Sequence, residues 1–260
     1  MISTAYTDIG KKQVNQDSLL VDEADTPDGP VLLAAVCDGM GGLSRGEYAS
    51  CRMVEELDAW FKGTLPDVLR SGPDMRAIRI GIENCISRVD RELEEVSELS
   101  GALGTTAACL LLYRGSYLIE NVGDSRVYRV TDDGAYLLTH DQTVVQQEID
   151  KGILTPKEAA KDPRRHILLQ CIGAEGTACP AYGSGTYGPD DVFLLCSDGL
   201  RHALPDMQIG MVFSPALLRD EAAMRAASKS AVEYVKKRKE KDNISVILVR
   251  DTRAAEGETP

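Results

Sequence analysis

Strand-like apolar runs in this 260-residue chain come in consecutive groups, and that grouping constrains its fold more than any other feature. Runs at about 1–7, 18–22 and 31–37 precede two helical stretches. The first begins at Ser44, where Ser44-Arg45-Gly46-Glu47 fits a capping box, and reaches about Phe61. The second, over roughly 74–97, sets Ile78, Ile82, Cys85, Ile86, Val89 and Leu93 at helical spacing. Strand patterns then follow at Thr105–Tyr113, Ser116–Asn121, Arg126–Thr131 and Tyr136–Thr139, with Arg114-Gly115 and Asp132-Asp133-Gly134 as hairpin turns. Strands return at Ala178–Tyr187 and Asp191–Cys196, before a helix at about 215–239 and a last strand at Ile244–Arg250. A parallel sheet needs a crossover between neighbouring strands, and this order does not supply it. The pattern predicts an α+β fold of antiparallel sheets with helices on their faces. Residues 1–250 read as a single domain. Within it, 141–172 is a polar excursion broken by Pro156 and Pro163, and 251–260 reads as a disordered tail.

The formal net charge of −12, with no basic block to offset it, argues against a nucleic-acid or anionic-membrane partner. The cluster from Lys236 to Lys241 reads as the solvated end of a helix. Seven cysteines form no CxxC pair and several sit in apolar runs, which predicts buried thiols in a reducing compartment. His140, His166 and His202 lack zinc-ligand spacing in sequence. There is no signal-peptide pattern, and no apolar stretch approaches the roughly 20 residues that span a bilayer. The expectation is a cytoplasmic monomer.

Five aspartates, Asp17, Asp38, Asp124, Asp198 and Asp242, stand at or beside the ends of these strand-like runs. Each has a modest explanation alone. Asp38-Gly39 and Asp124 suit turns, Asp242-Asn243 could cap or break a helix, and Asp17 could be a loop residue. Strand ends are also where a sheet brings distant carboxylates together, and such a cluster repels itself unless cations hold it. The set therefore predicts a multi-metal hydrolytic centre.

The residues around these aspartates carry a resemblance. In order they read Asn15-Gln16-Asp17, Asp38-Gly39-Met40-Gly41-Gly42, Gly104-Thr105-Thr106-Ala107, Gly123-Asp124-Ser125-Arg126, Ser197-Asp198-Gly199-Leu200 and Asp242-Asn243. Over about residues 4–250 the chain resembles the metal-dependent PP2C family of serine/threonine protein phosphatases in its compact bacterial form. The resemblance implies a four-layer α-β-β-α sandwich, two antiparallel β-sheets flanked by helices, with metals at one edge. It implies that Asp38 bridges two Mg²⁺ or Mn²⁺ ions and that the Gly39 carbonyl completes one shell. Asp17 would serve one ion, Asp198 and Asp242 the other, and Asp124 with Asp198 would form a third-metal site. The excursion after His140 would be the variable flap. All-oxygen ligation favours such hard cations over zinc. A water shared by two ions about 3.5–4 Å apart ionises near neutrality. The expected reaction is direct hydrolysis of phosphoserine or phosphothreonine in proteins by a dimetal-bound hydroxide, opposing a serine/threonine kinase.

Two positions depart from the family pattern. Lys12 stands where relatives usually carry an arginine that clasps phosphate, with Lys11 as a possible stand-in; lysine brings charge without a bidentate fork. Met40 replaces the histidine that many eukaryotic relatives place after Asp-Gly, and His140 is a weak alternative for a general acid. Cys85 and Arg91 match C-x5-R, but the five residues between them contain no glycine and lie in an expected helix, so their amides are not free for phosphate. Gly123-Asp124-Ser125 and Ser197-Asp198 suggest a serine hydrolase only weakly, since no histidine has a recognisable setting. A phosphatase fold that binds without hydrolysing is the remaining rival, and loss of a metal aspartate would favour it; none is lost.

Overall fold

The computed structural model of the protein describes residues 1–41, 45–72 and 74–252. Three strands open it: β1 (Ile2–Asp8), β2 (Asp17–Thr26) and β3 (Gly29–Gly41). Helices α1 (Arg45–Gly63), α2 (Leu65–Arg70) and α3 (Met75–Ser100) follow. The α3 N-terminus is capped by the Asp74 carboxylate, which accepts from the Arg76 amide. Next come β4 (Leu103–Thr105), β5 (Ala107–Tyr113), β6 (Ser116–Val122), β7 (Arg126–Thr131) and β8 (Gly134–Leu137). The excursion holds two short helices, α4 (Val144–Asp150) and α5 (Pro156–Ala159), the latter with a complete Thr155–Glu158 capping box. The chain then runs through β9 (Ala181–Thr186), β10 (Val192–Cys196), α6 (Asp198–Arg201), α7 (Asp206–Val212), α8 (Glu221–Lys237) and β11 (Ile244–Arg250).

All strand pairs among the described residues are antiparallel. One sheet has the order β1-β11-β10-β7-β8 and the other β2-β3-β5-β6-β9, with β4 paired to β3. Period-two alternation makes the layers. On β3, Leu32, Ala34 and Val36 face the second sheet, where they meet Phe193, Leu195, Ile247 and Val249. Leu33, Ala35 and Cys37 face the opposite way, onto Met53, Leu57, Ile82 and Ile86 of α1 and α3. The outer face of the other sheet, including Leu194, Val246 and Leu248, packs on Ile209 of α7 and on Met224, Val232 and Val235 of α8. The layers are thus α-β-β-α, as the resemblance implied.

Some local expectations shift. Helices α2, α6 and α7 were not anticipated, being too short to show a period. The helix expected at 215–239 starts only at Glu221, because the Asp220 carboxylate accepts from the Ala223 amide and fixes the N-terminus there. Expected strands at 136–139 and 178–187 are observed as Gly134–Leu137 and Ala181–Thr186. Gly42, the Ser44 end of the first capping box and the tail from 253 onward lie outside the described residues. Cys37, Cys85, Cys109 and Cys196 are buried thiols, whereas Cys51 and Cys179 are exposed. No helix among the described residues is long and apolar enough to cross a membrane.

Candidate active site

Asp17 and Asp38 are direct partners across the β2–β3 ladder. Side chains at such a pair share one face with Cβ atoms about 4.5–5.5 Å apart, so the ladder itself forces two carboxylates together. The Asp38 backbone is held on both sides. Its amide donates to Thr106 Oγ1 at 2.9 Å, and its carbonyl accepts from the Thr106 amide at 2.9 Å and from Thr105 Oγ1 at 3.2 Å. That is the structural use of the Gly104-Thr105-Thr106 segment.

The other sheet delivers Asp198 and Asp242, at the end of β10 and just before β11. Ser197 Oγ donates to Asp17 Oδ2 at 2.8 Å while accepting from the Ser245 amide at 3.1 Å, which ties the two sheets together at the site. Asn243 does the same for the β1–β2 loop. Its Oδ1 accepts from the Gln16 amide at 2.9 Å, and its Nδ2 donates to the carbonyls of Ile9 at 2.9 Å and Val14 at 3.2 Å.

The glycines next to two of the aspartates are spacing devices. A Cβ on Gly39 would stand 2.0 Å from the Gly46 carbonyl oxygen, and one on Gly199 would stand 2.0 Å from that of Asn243. Neither needs a left-handed φ. What the Asp-Gly pairs provide here is close backbone approach, which brings each aspartate's strand end against a neighbouring segment.

Electrostatics show what this packing costs. Burial pushes the Asp17 carboxyl up to about 7, with Asp198 and Asp242 adding to the rise and the Ser245 and Ser197 hydroxyls opposing it. Asp38 is raised well above the ordinary carboxylate range by burial and then by Asp17, Asp198, Asp124 and Asp242. Burial also acts to raise Asp198, but His166, His202 and Arg201 outweigh it and hold that carboxyl below its usual value. Asp17 Oδ1 and Asp198 Oδ1 are both buried without a hydrogen-bond partner. Buried acceptors in native proteins are nearly always satisfied, so two orphaned carboxylate oxygens in a self-repelling cluster fit hard divalent cations.

Asp124 has a different setting. Burial pushes its carboxyl up to about 6 against the pull of Arg201, whose Nη2 lies 2.6 Å from Asp124 Oδ2. Arg201 also approaches Asp141 Oδ2 at 3.7 Å, and Asp141 takes a two-pronged clasp from Arg126 at 2.7 Å on each oxygen. The expected third-metal ligand thus already faces a tethered cation. Arg201→Ala is expected to destabilise the protein by about 3–5 kcal/mol, because it strands a buried carboxylate. Urea denaturation at neutral pH measures this, and a loss below about 1 kcal/mol would mean the pair is as weak as an exposed one.

Lys12 does reach the cluster: its Nζ lies 2.7 Å from Asp242 Oδ1. Burial acts to lower the Lys12 ammonium pKa, but Asp242, Asp38 and Asp198 raise it above its ordinary value, so the charge is retained. His140 is exposed and bonded to Asp150 Oδ2 at 2.8 Å, a surface pair rather than part of the cluster. Cys85 and Arg91 sit on α3, and Arg91 Nε donates to the Ser87 carbonyl of the same helix, so no phosphate loop exists there. Met40 borders a cleft of about 580 Å³ with Glu94, Leu103 and Cys171. Arg201 escapes the sequence reading, which sets His166 and His202 aside for lacking zinc-ligand spacing, although the structure places all three around Asp198 and Asp124. Arg201 and His202 follow Ser197-Asp198-Gly199-Leu200 directly, and i,i+3 and i,i+4 spacing from Asp198 on a helix was the available signal.

Carboxylates drawn from two sheets, with orphaned oxygens on Asp17 and Asp198, form an acidic cluster of the kind that suits oxygen-ligated divalent cations. Residues 6–248 match the family model for protein phosphatase 2C, and the chain belongs to that family of protein phosphatases. It is similar to the serine/threonine phosphatase Stp of Listeria innocua, with 30% identity over 225 residues that cover 84% of this chain and 83% of that protein. The protein phosphatase PhpP of Streptococcus pneumoniae is 27% identical over 246 residues, 94% of each chain. Among solved structures, the S. agalactiae serine/threonine phosphatase aligns with a TM-score of 0.83 at 28% identity, over 95% of this chain and 98% of that one. For the Mycobacterium tuberculosis serine/threonine phosphatase PstP/Ppp the TM-score is 0.78 at 26% identity, over 95% and 97%.

Proposed function

We propose that this protein removes phosphate from phosphoserine and phosphothreonine in proteins, using Mg²⁺ or Mn²⁺ held by Asp17, Asp38, Gly39, Asp198 and Asp242. The observation that carries the reading is the meeting of Asp17 and Asp38 from one sheet with Asp198 and Asp242 from the other, with buried oxygens left free on Asp17 and Asp198. Bound there, the ions would supply an ionised water near neutral pH and neutralise charge on the phosphoryl oxygens. The chain's own residues do the rest. Asp38, clamped through Thr105 and Thr106, is the fixed point of the cluster. Ser197 holds one oxygen of Asp17 and leaves the other for a cation. Lys12, beside Asp242, places an ammonium where a phosphoryl oxygen arrives, as a point charge rather than a fork. A third cation at Asp124 would compete with Arg201 for Oδ2, so the two-ion centre is the working unit.

Metal-stripped protein is expected to hydrolyse p-nitrophenyl phosphate and a phosphothreonine peptide only when Mn²⁺ or Mg²⁺ is restored, and to stop on adding chelator. Folded protein that shows no metal-dependent turnover of either compound would favour a binding role instead. The physiological counterpart is a serine/threonine kinase acting on the same phosphoproteins.

A further inference from the structure

The excursion and α6 bring two imidazoles onto the outer side of Asp198. His202 Nε2 lies 3.3 Å from Asp198 Oδ2 and His166 Nδ1 lies 3.8 Å from it. One ligand atom from each of the three residues fits within a 4.8 Å span. The two rings meet edge to face, with centroids 5.0 Å apart and planes at 89°. Ligand atoms around a tetrahedral ion with bonds of about 2.0–2.1 Å stand roughly 3.4 Å apart, so the His202–Asp198 spacing is already met, the His166–Asp198 spacing needs about 0.4 Å of closure, and the spacing between the two imidazole nitrogens lies within the 4.8 Å span.

The surroundings prepare this geometry. The far nitrogen of His202, Nδ1, lies 3.4 Å from Glu240 Oε2. Glu240 is itself anchored, since its Oε1 accepts from the amides of Lys241 at 2.7 Å and Asp242 at 3.0 Å. A carboxylate on Nδ1–H fixes the tautomer that leaves the Nε2 lone pair facing Asp198, the usual orientation of a metal-binding histidine. His166 is positioned by its backbone neighbours: Ile167 accepts from the Val144 amide at 2.9 Å, and Leu168 bridges to Thr143. The donor set also differs in kind from the carboxylate cluster. Two imidazoles and one carboxylate suit zinc and similar borderline ions, whereas Mg²⁺ prefers oxygen alone.

We propose that His166, His202 and Asp198 Oδ2 form a separate site for a zinc-class divalent ion, which fastens the excursion to α6 at the rim of the active site. Asp198 would then serve two neighbours, with Oδ1 turned to the phosphatase cations and Oδ2 to this ion; the site depends on the proposed function only through that sharing. The ion would fix His166, otherwise half-exposed, against the catalytic edge and would set how far the excursion opens.

The test measures binding and needs no turnover. Metal-stripped protein is titrated with Zn²⁺ by calorimetry in a large excess of Mg²⁺, and with Co²⁺ followed by visible absorption. The wild type is expected to bind Zn²⁺ despite the Mg²⁺ and to give the intense Co²⁺ bands of low-coordinate, nitrogen-ligated metal. His166→Ala, checked for folding by circular dichroism, is expected to weaken Zn²⁺ binding by about 100-fold and to lose those bands, since it deletes a ligand outright. Glu240→Gln leaves the excursion untouched and is expected to weaken binding by about 10–100-fold; it stands in should His166→Ala misfold. Zinc binding abolished by Mg²⁺, or unchanged affinity in either folded variant, overturns the site. A protein inactive on phosphopeptides that still binds Zn²⁺ through His166 would refute the phosphatase reading and leave this one standing.

Discussion

Asp38→Asn removes metal-dependent phosphatase turnover, by on the order of 10³-fold or more, while making the metal-free protein more stable. The opposite signs follow from one cause. Asp38 is the carboxylate on which burial and four acidic neighbours act together, so its charge is costly until cations arrive. An amide of the same shape lifts that cost and cannot bridge two ions. In chelator, the variant should melt a few degrees above the wild type, since each 1 kcal/mol moves the midpoint by about 2–4 °C at this size. In saturating Mn²⁺ the order should reverse, because ligands that bind only the folded state stabilise it by mass action. Turnover at the wild-type level in Asp38→Asn would remove Asp38 from the metal centre.

The metal-free protein should lose stability as pH rises from about 4 to about 7, the reverse of ordinary acid denaturation. Asp17 rises from 3.8 to about 7 and Asp124 from 3.8 to about 6 on folding. Between the unfolded and folded values the native state binds more protons than the unfolded chain, so each pH unit in that window favours unfolding. For Asp17 alone the span corresponds to on the order of 4 kcal/mol. Glu240 works the other way. Burial acts to raise its carboxyl, but His202 and the backbone amides of Asp242 and Lys241 hold it down at about 2, so its contribution is present above its ordinary value and lost only in stronger acid. Urea denaturation in chelator at about pH 5 and about pH 7.5 should show the loss, and saturating Mn²⁺ should erase it. Equal stability at the two pH values without metal would mean that the cluster is far better hydrated than its burial implies.

Much of this was legible in the sequence, for identifiable reasons. Strands flanked by hairpin turns announce antiparallel sheets, and the period of α3 survives because its buried face repeats from Ile78 to Leu93. Asp38, Asp198 and Asp242 were visible because each sits beside a residue that its strand end requires: Gly39 and Gly199 for close approach, Asn243 for three backbone bonds. What stayed hidden depends on tertiary position. That Asp17 lies directly across from Asp38 is a matter of register, and a hairpin of unknown turn does not give register. Arg201 resembled any helical arginine until Asp124 was found 2.6 Å away. His166 and His202 are 36 positions apart, a spacing that signals nothing until the excursion folds back over α6.

The core between the sheets acts as a ruler as well as a source of stability. Asp17 and Asp38 ride on one sheet and Asp198 and Asp242 on the other, so the gap that a cation in the proposed site would fill is the offset between two slabs. That offset is set by the core between the sheets, including Leu32, Leu110, Phe193 and Ile247, none of which belongs to the proposed cation site. Trimming one of these side chains lets the slabs settle by a fraction of an ångström, and a hard cation with a fixed bond length registers that change as lost affinity. On the proposed function, remote core substitutions are therefore to be read as changes in ion affinity as well as losses of stability.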